Sequence, residues 1–329
     1  MKHISILVPN GNVALACIDG PFTMFNKVND FLFNMGKPAL FNVQLVGLQN
    51  EPQLYHRLFK VYPDQTLEQV SKTDLIIIPA VNGDMKSVIE ENRVFLPWIV
   101  DRYESGAEVA SLCVGAFLLA STGLLSGKKC ATHWIAANEF RKMFPEVNLV
   151  SEKIITDEGG IYSSGGANSF QNLILYLVEK FAGRDIAILL AKVYEIEIER
   201  DSQSSFIIFD GQKEHDDEPI LKAQEFIESN FQQKITVDQL ATMFALSRRN
   251  LERRFKKATS NTASEYLQRV KIEAAKVSLE SSRENVNEVM WKVGYTDHKS
   301  FRTTFKRLTG LSPMQYRNKY NREPSIPSF

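Results

Sequence analysis

The 329 residues of the chain are 44% hydrophobic and 24% charged, which is typical of a globular protein with about two domains. No apolar run is long enough for a membrane span or a signal peptide, so we expect neither. The net charge is zero, but residues 219–329 hold 20 Lys and Arg against 11 Asp and Glu, a net of +9, which leaves −9 for residues 1–218. This asymmetry favours a polyanion-binding module joined to an acidic carrier domain.

The three cysteines, Cys17, Cys113 and Cys130, are odd in number and far apart in the sequence. This arrangement predicts neither a disulfide framework nor a CxxC metal site, and a reducing, cytoplasmic setting is the natural expectation. His, Cys and acidic residues are not clustered at ligand spacings. We therefore expect no metal and no cofactor.

Short β-branched runs alternate with helical patterns through about residue 200. Amphipathic helices are predicted at 22–35 and 85–103. The predicted strands are 3–9, 41–48, 74–81 and 107–113. Alternation of strands and helices predicts an α/β domain with a parallel sheet flanked by helices, in which ligands bind at the carboxyl ends of the strands.

The segment ASLCVGAF places Cys113 between a buried strand and a helix that begins immediately after it. The small residues Ser111 and Gly115 suit the sharp turn of a nucleophile elbow. A position at a helix N-terminus would lower the thiol pKa, and His133 is the candidate partner base. A buried Cys is most often a small hydrophobe, however, and a lone His is more often structural, so a pocket without catalysis stays open.

A Gly-rich stretch at residues 163–168, SSGGAN, precedes a helix predicted at 170–181. It lacks both the GxGxxG pattern and the Lys of a phosphate-binding loop. We interpret it as a strand-to-helix turn at the edge of the same pocket.

The order of a strand, CVGAF and a helix, followed by GLLSGK and ATHW, resembles the DJ-1/PfpI-like domain related to class I glutamine amidotransferases. More narrowly, it resembles the version of that domain found at the front of AraC-type regulators of the GlxA kind. The resemblance covers most of residues 1–200. It implies the fold of that family and a pocket around Cys113 and His133.

Two departures from that family bear on activity. Cys17 stands where the family's enzymes have an acidic residue, with Asp19 displaced by two positions. Ala80 and Val81 follow Pro79 where the family has two glycines, whose backbone helps to form an oxyanion hole. The resemblance therefore implies a ligand-sensing or dimerisation domain more strongly than an enzyme. A Cys-dependent amidohydrolase, or a glyoxalase or deglycase, is the alternative.

Residues 195–218 are acidic and polar and are predicted to connect two domains. We therefore divide the chain into an N-terminal domain of residues 1–200, a linker of residues 201–218 and a C-terminal domain of residues 219–329.

The clearest pattern of the C-terminal part runs from Val286 to Tyr320. It contains a short apolar helix, a turn centred on Gly294 and a second helix rich in Lys and Arg. Gly294 can adopt a positive φ at no steric cost, and Thr296 or Asp297 is a good N-cap for the second helix. A helix with an apolar back and a basic front after a tight turn suits the major groove of DNA, although a solvated helical hairpin has the same pattern.

A second copy of this pattern occurs at residues 235–258. Aligning Ala245 on Gly294 pairs Phe255 with Phe305 after one inserted residue. One basic hairpin is common. Two such hairpins in a segment of net charge +9 favour DNA binding.

This part resembles the AraC/XylS-type DNA-binding domain over essentially all of residues 219–320. A long amphipathic helix predicted at 262–279 would join the two units. The family usually has Gly at the position of Ala245, which predicts strain in the first turn. The matching residues are Leu240, Ala241, Ser247, Leu251, Arg253, Phe255, Lys256, Val293, Gly294, Tyr295, Phe301, Phe305, Lys306, Gly310, Ser312, Pro313, Tyr316 and Arg317.

The resemblance implies two recognition helices that enter successive major grooves about one helical turn apart. The candidate DNA-binding residues on these helices are Arg249, Glu252, Arg253, Lys256, His298, Lys299, Arg302, Thr303 and Lys306. Lys256 and Lys306, with Lys257 and Arg317, are interpreted as phosphate anchors. The other candidates are interpreted as base readers, because Arg can bond guanine and Glu can accept from cytosine.

We predict a sequence-specific DNA-binding transcription regulator that is not an enzyme. Its partners are double-stranded DNA, a small-molecule effector and a second copy of the chain, and no membrane is involved. An architectural DNA binder with a purely structural N-terminal domain is a further alternative.

Overall fold

The protein is described by a computed structural model that covers residues 1–55, 58–198 and 200–321. The chain divides into two compact units, Met1–Gln203 and Ser204–Phe329. No helix in the described part of the chain is both long enough and apolar enough to cross a membrane.

The first unit is an α/β unit. Its strands are β1 Lys2–Val8, β2 Asn12–Val13, β3 Phe41–Gly47, β4 Gln53–Tyr55, β5 Phe59–Val61, β6 Gln65–Thr66, β7 Leu75–Ile78, β8 Val81–Asn82, β9 Glu108–Ser111, β10 Lys129–Cys130, β11 Asn148–Leu149, β12 Ile155–Asp157 and β13 Ile161–Ser164. Its helices are α1 Ala16–Asn34, α2 Met85–Glu91, α3 Phe95–Glu104, α4 Ala116–Ser121, α5 Ala137–Met143, α6 Ser169–Ala182 and α7 Arg184–Val193.

A seven-stranded sheet with the order β12-β13-β9-β7-β1-β3-β6 forms the centre of this unit. All neighbouring strands are parallel apart from β12 and β13. The central strand β7 is buried at every position, as expected when helices cover both faces of a parallel sheet. Helices α1, α6 and α7 pack on one another, and α4 packs with α2 and α3. The predicted α/β architecture is confirmed.

Two helix predictions in this unit have wrong bounds. The single helix predicted at 85–103 is two helices, because Asn92 ends α2 and a continuous helix would drive the ring of Pro97 into the carbonyl four residues earlier. The helix predicted at 22–35 begins at Ala16. Its Gly-Pro pair lies inside the first turns of α1 and does not stop the helix.

The second unit is entirely helical in its described part and contains two hydrophobic clusters. Its helices are α8 Glu218–Asn230, α9 Val237–Met243, α10 Arg248–Thr259, α11 Ala263–Ser281, α12 Val286–Lys292, α13 His298–Thr309 and α14 Pro313–Tyr320. The long helix α11 contributes Tyr266 to the first cluster and Ile272, Ala275 and Leu279 to the second. One helix therefore holds the two halves of the unit together, as predicted from the amphipathic pattern.

The segment from Ser204 to Asp217, all of which lies in the predicted linker of residues 201–218, packs along the second unit. The ring of Phe209 lies 5.1 Å from that of Tyr266 on α11. Asp217 accepts two hydrogen bonds, of 2.9 and 2.6 Å, from the guanidinium of Arg254 on α10. This segment is therefore tied to both helices.

Candidate nucleic-acid interface and N-terminal pocket

The first helix-turn-helix unit consists of α9, a short turn and α10. Thr236 caps α9 by accepting from the N–H of Gln239 at 3.2 Å, and Ser247 caps α10 by accepting from the N–H of Asn250 at 3.3 Å. Between the two helices Ala245 has a φ of 53°. The left-handed region costs a residue with a Cβ about 1–2 kcal/mol, so the predicted strain in this turn is present.

The second unit repeats this construction with α12 and α13. Asn285 caps α12. Asp297, rather than Thr296, caps α13 by accepting from the N–H of Ser300 at 2.6 Å. Gly294 in the turn has a φ of 76°, which only glycine adopts without cost.

The two turns share one backbone hydrogen-bond pattern. The N–H groups of Ala245 and Gly294 donate to the carbonyls three residues earlier, at 3.2 and 2.9 Å. The N–H groups of the next residues donate to the carbonyls five residues earlier, at 2.9 and 3.0 Å. The predicted alignment of the two turns is confirmed.

The repeat extends to the C-terminal ends of both second helices. Thr259 and Thr309 each donate Oγ1 to the carbonyl four residues earlier at 2.8 Å. The residues that follow them are both left-handed, with φ of 58° at Ser260 and 75° at Gly310. Both helices therefore end in the same way.

The aromatic contacts beneath the second helices also repeat. The ring of Phe255 lies 5.4 Å from that of Tyr266, and the ring of Phe305 lies 5.5 Å from that of Tyr316. Each pair is edge-to-face, which is a favourable arrangement for aromatic rings. The sequence alignment missed the two tyrosines because it stopped at the end of the second helices.

The nine candidate DNA-binding residues lie on α10 and α13. Glu252 is half-buried and the other eight are exposed. The side chains of six of them make no hydrogen bond or ion pair with the described part of the chain. These six are Arg249, His298, Lys299, Arg302, Thr303 and Lys306.

The other three candidates have partners within the unit. Glu252 accepts from Arg248 at 3.4 Å, Arg253 donates to an Asn side chain one turn earlier at 3.0 Å, and Lys256 lies 3.8 Å from a Glu of α11. These are exposed or half-exposed pairs, which are individually weak. DNA phosphates or bases could compete with them.

The interpretation of Arg317 as a phosphate anchor stays a prediction. Its Nε and Nη2 atoms are buried and have no hydrogen-bond partner within the described residues, but the residue as a whole is half-buried. The partial burial arises because α14 packs against α11. Lys257, by contrast, is exposed.

Lys271 on α11 joins that helix to the second turn. Its Nζ donates to the carbonyl of Gly294 at 2.9 Å and lies 5.4 Å from the ring of Tyr295. The residue is 8% exposed, and burial lowers the pKa of its ammonium group. A Cβ on Gly294 would lie 2.7 Å from the carbonyl carbon of Gln232, in the loop before α9. These contacts, which we call the joint, therefore hold the second turn against α11 and the loop before α9.

In the N-terminal unit, the elbow forms where β9 ends at Ser111. Cys113 has a φ of 56°, a strained value for a residue with a side chain. A Cβ on Gly115 would lie 2.6 Å from the carbonyl oxygen of Ile78 and 2.7 Å from that of Pro79. These are the features of the predicted strand-to-helix elbow, with glycine required by the close approach of β7.

The thiol at this elbow is held protonated. Burial, together with a smaller contribution from nearby Cys17, raises the pKa of Cys113 to about 12, against a lowering by the N–H of Val114. Burial also raises the pKa of Cys17, whose Sγ is bonded by the backbone of Ala80. The expected lowering at a helix N-terminus does not occur, because burial is the larger effect and α4 has only six residues.

His133 is present as a neutral ring. Its Nδ1 accepts from the N–H of Ile135 at 3.1 Å, which leaves the ring proton on Nε2, and burial lowers the pKa of the imidazole. Its Nε2 faces Gly166, where an added Cβ would lie 3.6 Å away. Among the described residues, no hydrogen bond joins His133 to Cys113.

The sequence interpretation missed two residues beside this ring. Thr132 donates Oγ1 to the carbonyl of Cys113 at 3.0 Å. Gln203, which is 1% exposed, bonds the backbone of Gly166 and of Thr132. The Gly-rich turn was the available signal, since a glycine pair often marks a close approach of another group. No cluster of three or more His, Cys, Asp or Glu suited to a metal ion occurs in the described residues.

Comparison with known proteins matches both units. A helix-turn-helix domain profile matches residues 240–319, and a DJ-1/PfpI family profile matches residues 21–180. The HTH-type transcriptional regulator GbdR of Pseudomonas aeruginosa is 25% identical over 78% of this chain and 70% of its own length. An isonitrile hydratase of Pseudomonas putida is 27% identical over 39% of this chain and 54% of its own length. A crystal structure of a candidate transcriptional regulator from Vibrio parahaemolyticus has 23% identity and a TM-score of 0.53, and covers 58% of this chain and 98% of its own.

The repeated helix-turn-helix units and the elbow-containing α/β unit therefore define a DNA-binding transcription regulator with a DJ-1/PfpI N-terminal domain. Within that class, the chain is similar to HTH-type transcriptional regulators that match it across both units, as the resemblance to AraC-type regulators implied.

Proposed function

We propose that this regulator reads DNA with α10 and α13 together. Its DNA-binding domain is residues 219–329, and residues 201–218 connect it to a sensor or dimerisation domain of residues 1–200. The observation that carries this proposal is the structural repeat, in which two capped basic helices follow turns of the same backbone geometry.

In this proposal, base readout belongs to Arg249, Glu252 and Arg253 on α10 and to a second set on α13. The second set is His298, Lys299, Arg302 and Thr303. Lys256 and Lys306, at equivalent positions one turn further along each helix, anchor phosphates. Most of these side chains have no partner among the described residues, and this supports the assignment, because a free guanidinium or ammonium can bind DNA without first breaking an ion pair.

The N-terminal domain acts as a small-molecule sensor in this proposal and not as an enzyme. The support is chemical, because a thiolate is the reactive form of cysteine and burial raises the pKa of Cys113 to about 12. A cysteine nucleophile also needs a base, and among the described residues His133 accepts no hydrogen bond from the Cys113 thiol. An effector that binds beside these residues must prefer one arrangement of the protein over another to change its affinity for DNA.

We also propose that the chain acts as a homodimer in the cytoplasm, where its DNA is. Two-fold related copies would present four recognition helices to a site with repeated halves. Sedimentation of the full chain with and without a selected DNA site tests the dimer.

Selection of DNA fragments by the full chain tests the DNA-reading proposal. The expected result is a bipartite sequence whose two parts are about one helical turn apart. A matched selection with Arg302→Ala should lose sequence preference in one part only. Flat affinity across all sequences would contradict the proposal and favour the architectural alternative.

Screening of metabolites against the selected site then tests sensing. At least one compound should change the affinity of the wild-type chain for DNA and should lose this effect in Cys113→Ala. If no compound acts and Cys113→Ala matches wild type on the same site, the sensing proposal fails.

A further inference from the structure

Gln203 is the last residue of the first unit, and its side chain occupies a complete hydrogen-bonding site. The Oε1 atom accepts from the N–H of Gly166 at 2.8 Å. The Nε2 atom donates to the carbonyls of Thr132, Ser151 and Lys153 at 2.9, 2.8 and 3.2 Å. One donor for an amide oxygen and three acceptors for an amide nitrogen form a site for a primary carboxamide.

The walls of this site are shaped around the carboxamide. A Cβ on Gly165 would lie 2.6 Å from Nε2 of Gln203, and a Cβ on Gly166 would lie 3.0 Å from its Oε1. The same added Cβ on Gly166 would lie 3.6 Å from Nε2 of His133. The carboxamide site is therefore next to the ring that lines the proposed sensor pocket.

The backbone on either side of this side chain is held by a short antiparallel pairing, which we call the clasp and define as residues 201–203. Ser202 pairs with Lys153, and the N–H of Gln203 donates to the carbonyl of Glu152 at 2.8 Å. The next residue, Ser204, is the first of the second unit. The connection to the DNA-binding unit therefore leaves the first unit directly at the carboxamide site.

We propose that Gln203 is a built-in ligand of the N-terminal domain and that an effector carrying a primary carboxamide displaces it. This inference rests on the proposed sensing function and adds the chemical class of the effector. A free amide offers the same acceptor and donors as Gln203. A carboxylate would place negative charge against three carbonyl oxygens, and burying a charge without donors is unfavourable.

Displacement of Gln203 also explains how binding reaches the second unit. Release of the three clasp residues lengthens the free connection by about 10 Å, at roughly 3.3 Å per extended residue. An effector therefore has higher affinity for the state with the clasp open. By the same linkage, DNA binding depends on which state of the clasp is populated.

Propanamide, which reproduces the Gln203 side chain beyond Cα, tests the carboxamide site. Calorimetry with the full chain should show that Gln203→Gly binds propanamide at least about tenfold more tightly than wild type, because an internal competitor at high effective concentration has been removed. Propanoate should not bind either protein. Gln49→Gly, a change of the same kind at an exposed position of the same unit, should behave as wild type.

The second measurement is affinity for the selected DNA site. Gln203→Gly should change this affinity about fivefold or more, which is the lower range of allosteric coupling. Saturating propanamide should shift the wild-type chain in the same direction, because both changes open the clasp, and should add little in Gln203→Gly. Gln203→Met, which keeps the volume but not the hydrogen bonds, should show the same change as Gln203→Gly and controls for the loss of side-chain volume.

Three outcomes would overturn parts of this proposal. Equal binding of propanamide to Gln203→Gly and wild type, or equal binding of propanoate, overturns the carboxamide site. Tight propanamide binding with unchanged DNA affinity in both variants overturns the coupling. If the wild-type chain selects no DNA sequence at all, the proposed function fails, and the calorimetry still decides the carboxamide site on its own.

Discussion

Exchange of the two turn residues tests the joint between the helix-turn-helix units. Gly294→Ala places a Cβ in a left-handed position, which costs about 1–2 kcal/mol. The same Cβ would lie 2.7 Å from the carbonyl carbon of Gln232, and overpacking of this kind costs typically about 1–3 kcal/mol more. We therefore expect a loss of about 2–5 kcal/mol in local stability around α12 and α13.

The matched change at the equivalent position is Ala245→Gly. Ala245 is exposed and left-handed, with a φ of 53°. Relief of about 1–2 kcal/mol of strain is offset by the roughly 0.5–1 kcal/mol entropic cost of glycine. The net expectation is between no change and a gain of about 1.5 kcal/mol in stability.

Hydrogen exchange on the full chain is the assay, because it reports stability element by element in a chain with two units. Gly294→Ala should lower the protection of amide hydrogens from exchange in α12 and α13 more than in α9 and α10. It should also weaken binding to the complete two-part DNA site more than binding to DNA that contains only the part read by α10. Two results would refute the argument from backbone geometry: a loss of less than about 1 kcal/mol in local stability in Gly294→Ala, or a loss in Ala245→Gly that exceeds the loss in Gly294→Ala.

Three further predictions concern single contacts. Lys271→Met removes the bond to Gly294 and should reduce discrimination between DNA sites whose halves differ in spacing by one base pair, measured by competition binding. Asp217→Asn should destabilise α10 by about 1–2 kcal/mol, because it weakens the hydrogen bonds from Arg254. Since these bonds lower the pKa of Asp217 below 3.8, the difference in melting temperature between variant and wild type should be largest above pH 3.8. It should vanish as the pH falls below that value. The thiol of Cys113 has a pKa of about 12 in place of 9.0, so it should react with iodoacetamide at pH 8 about a thousandfold more slowly in the folded chain than in the unfolded chain. The stability that the buried thiol contributes should be lost as the pH rises from 9.0 to about 12. Rapid alkylation of the folded chain at pH 8 would instead support the enzyme alternative.

The DNA-binding half was predictable because its signals are local. Capping residues such as Ser247 and Asp297, a turn glycine at 294 and apolar residues at helical spacing act within one or two turns of the chain. The spacing of Phe255 and Phe305 also showed the repeat. The partial burial of Arg317 could not be predicted in this way, because it depends on how α14 packs on α11.

The region around Cys113 and His133 was predictable only in part. The elbow at Cys113 follows from a local run of small residues, and the required Gly115 was expected. The pKa of its thiol was predicted in the wrong direction, because burial is a property of the whole fold. Gln203 was missed because it lies 37 residues beyond Gly166, with no periodic pattern to connect them.

Comparison of Arg302→Ala with Lys306→Ala on the selected DNA site tests the central claim most directly. Both residues are exposed on α13, one turn apart. Arg302→Ala should relax preference at one base position by about 1–3 kcal/mol. Lys306→Ala should weaken all sequences alike and reduce the salt dependence of binding by about one ion. The reverse pattern, or no effect of either change on affinity, would contradict the account of α13 as a DNA-reading helix.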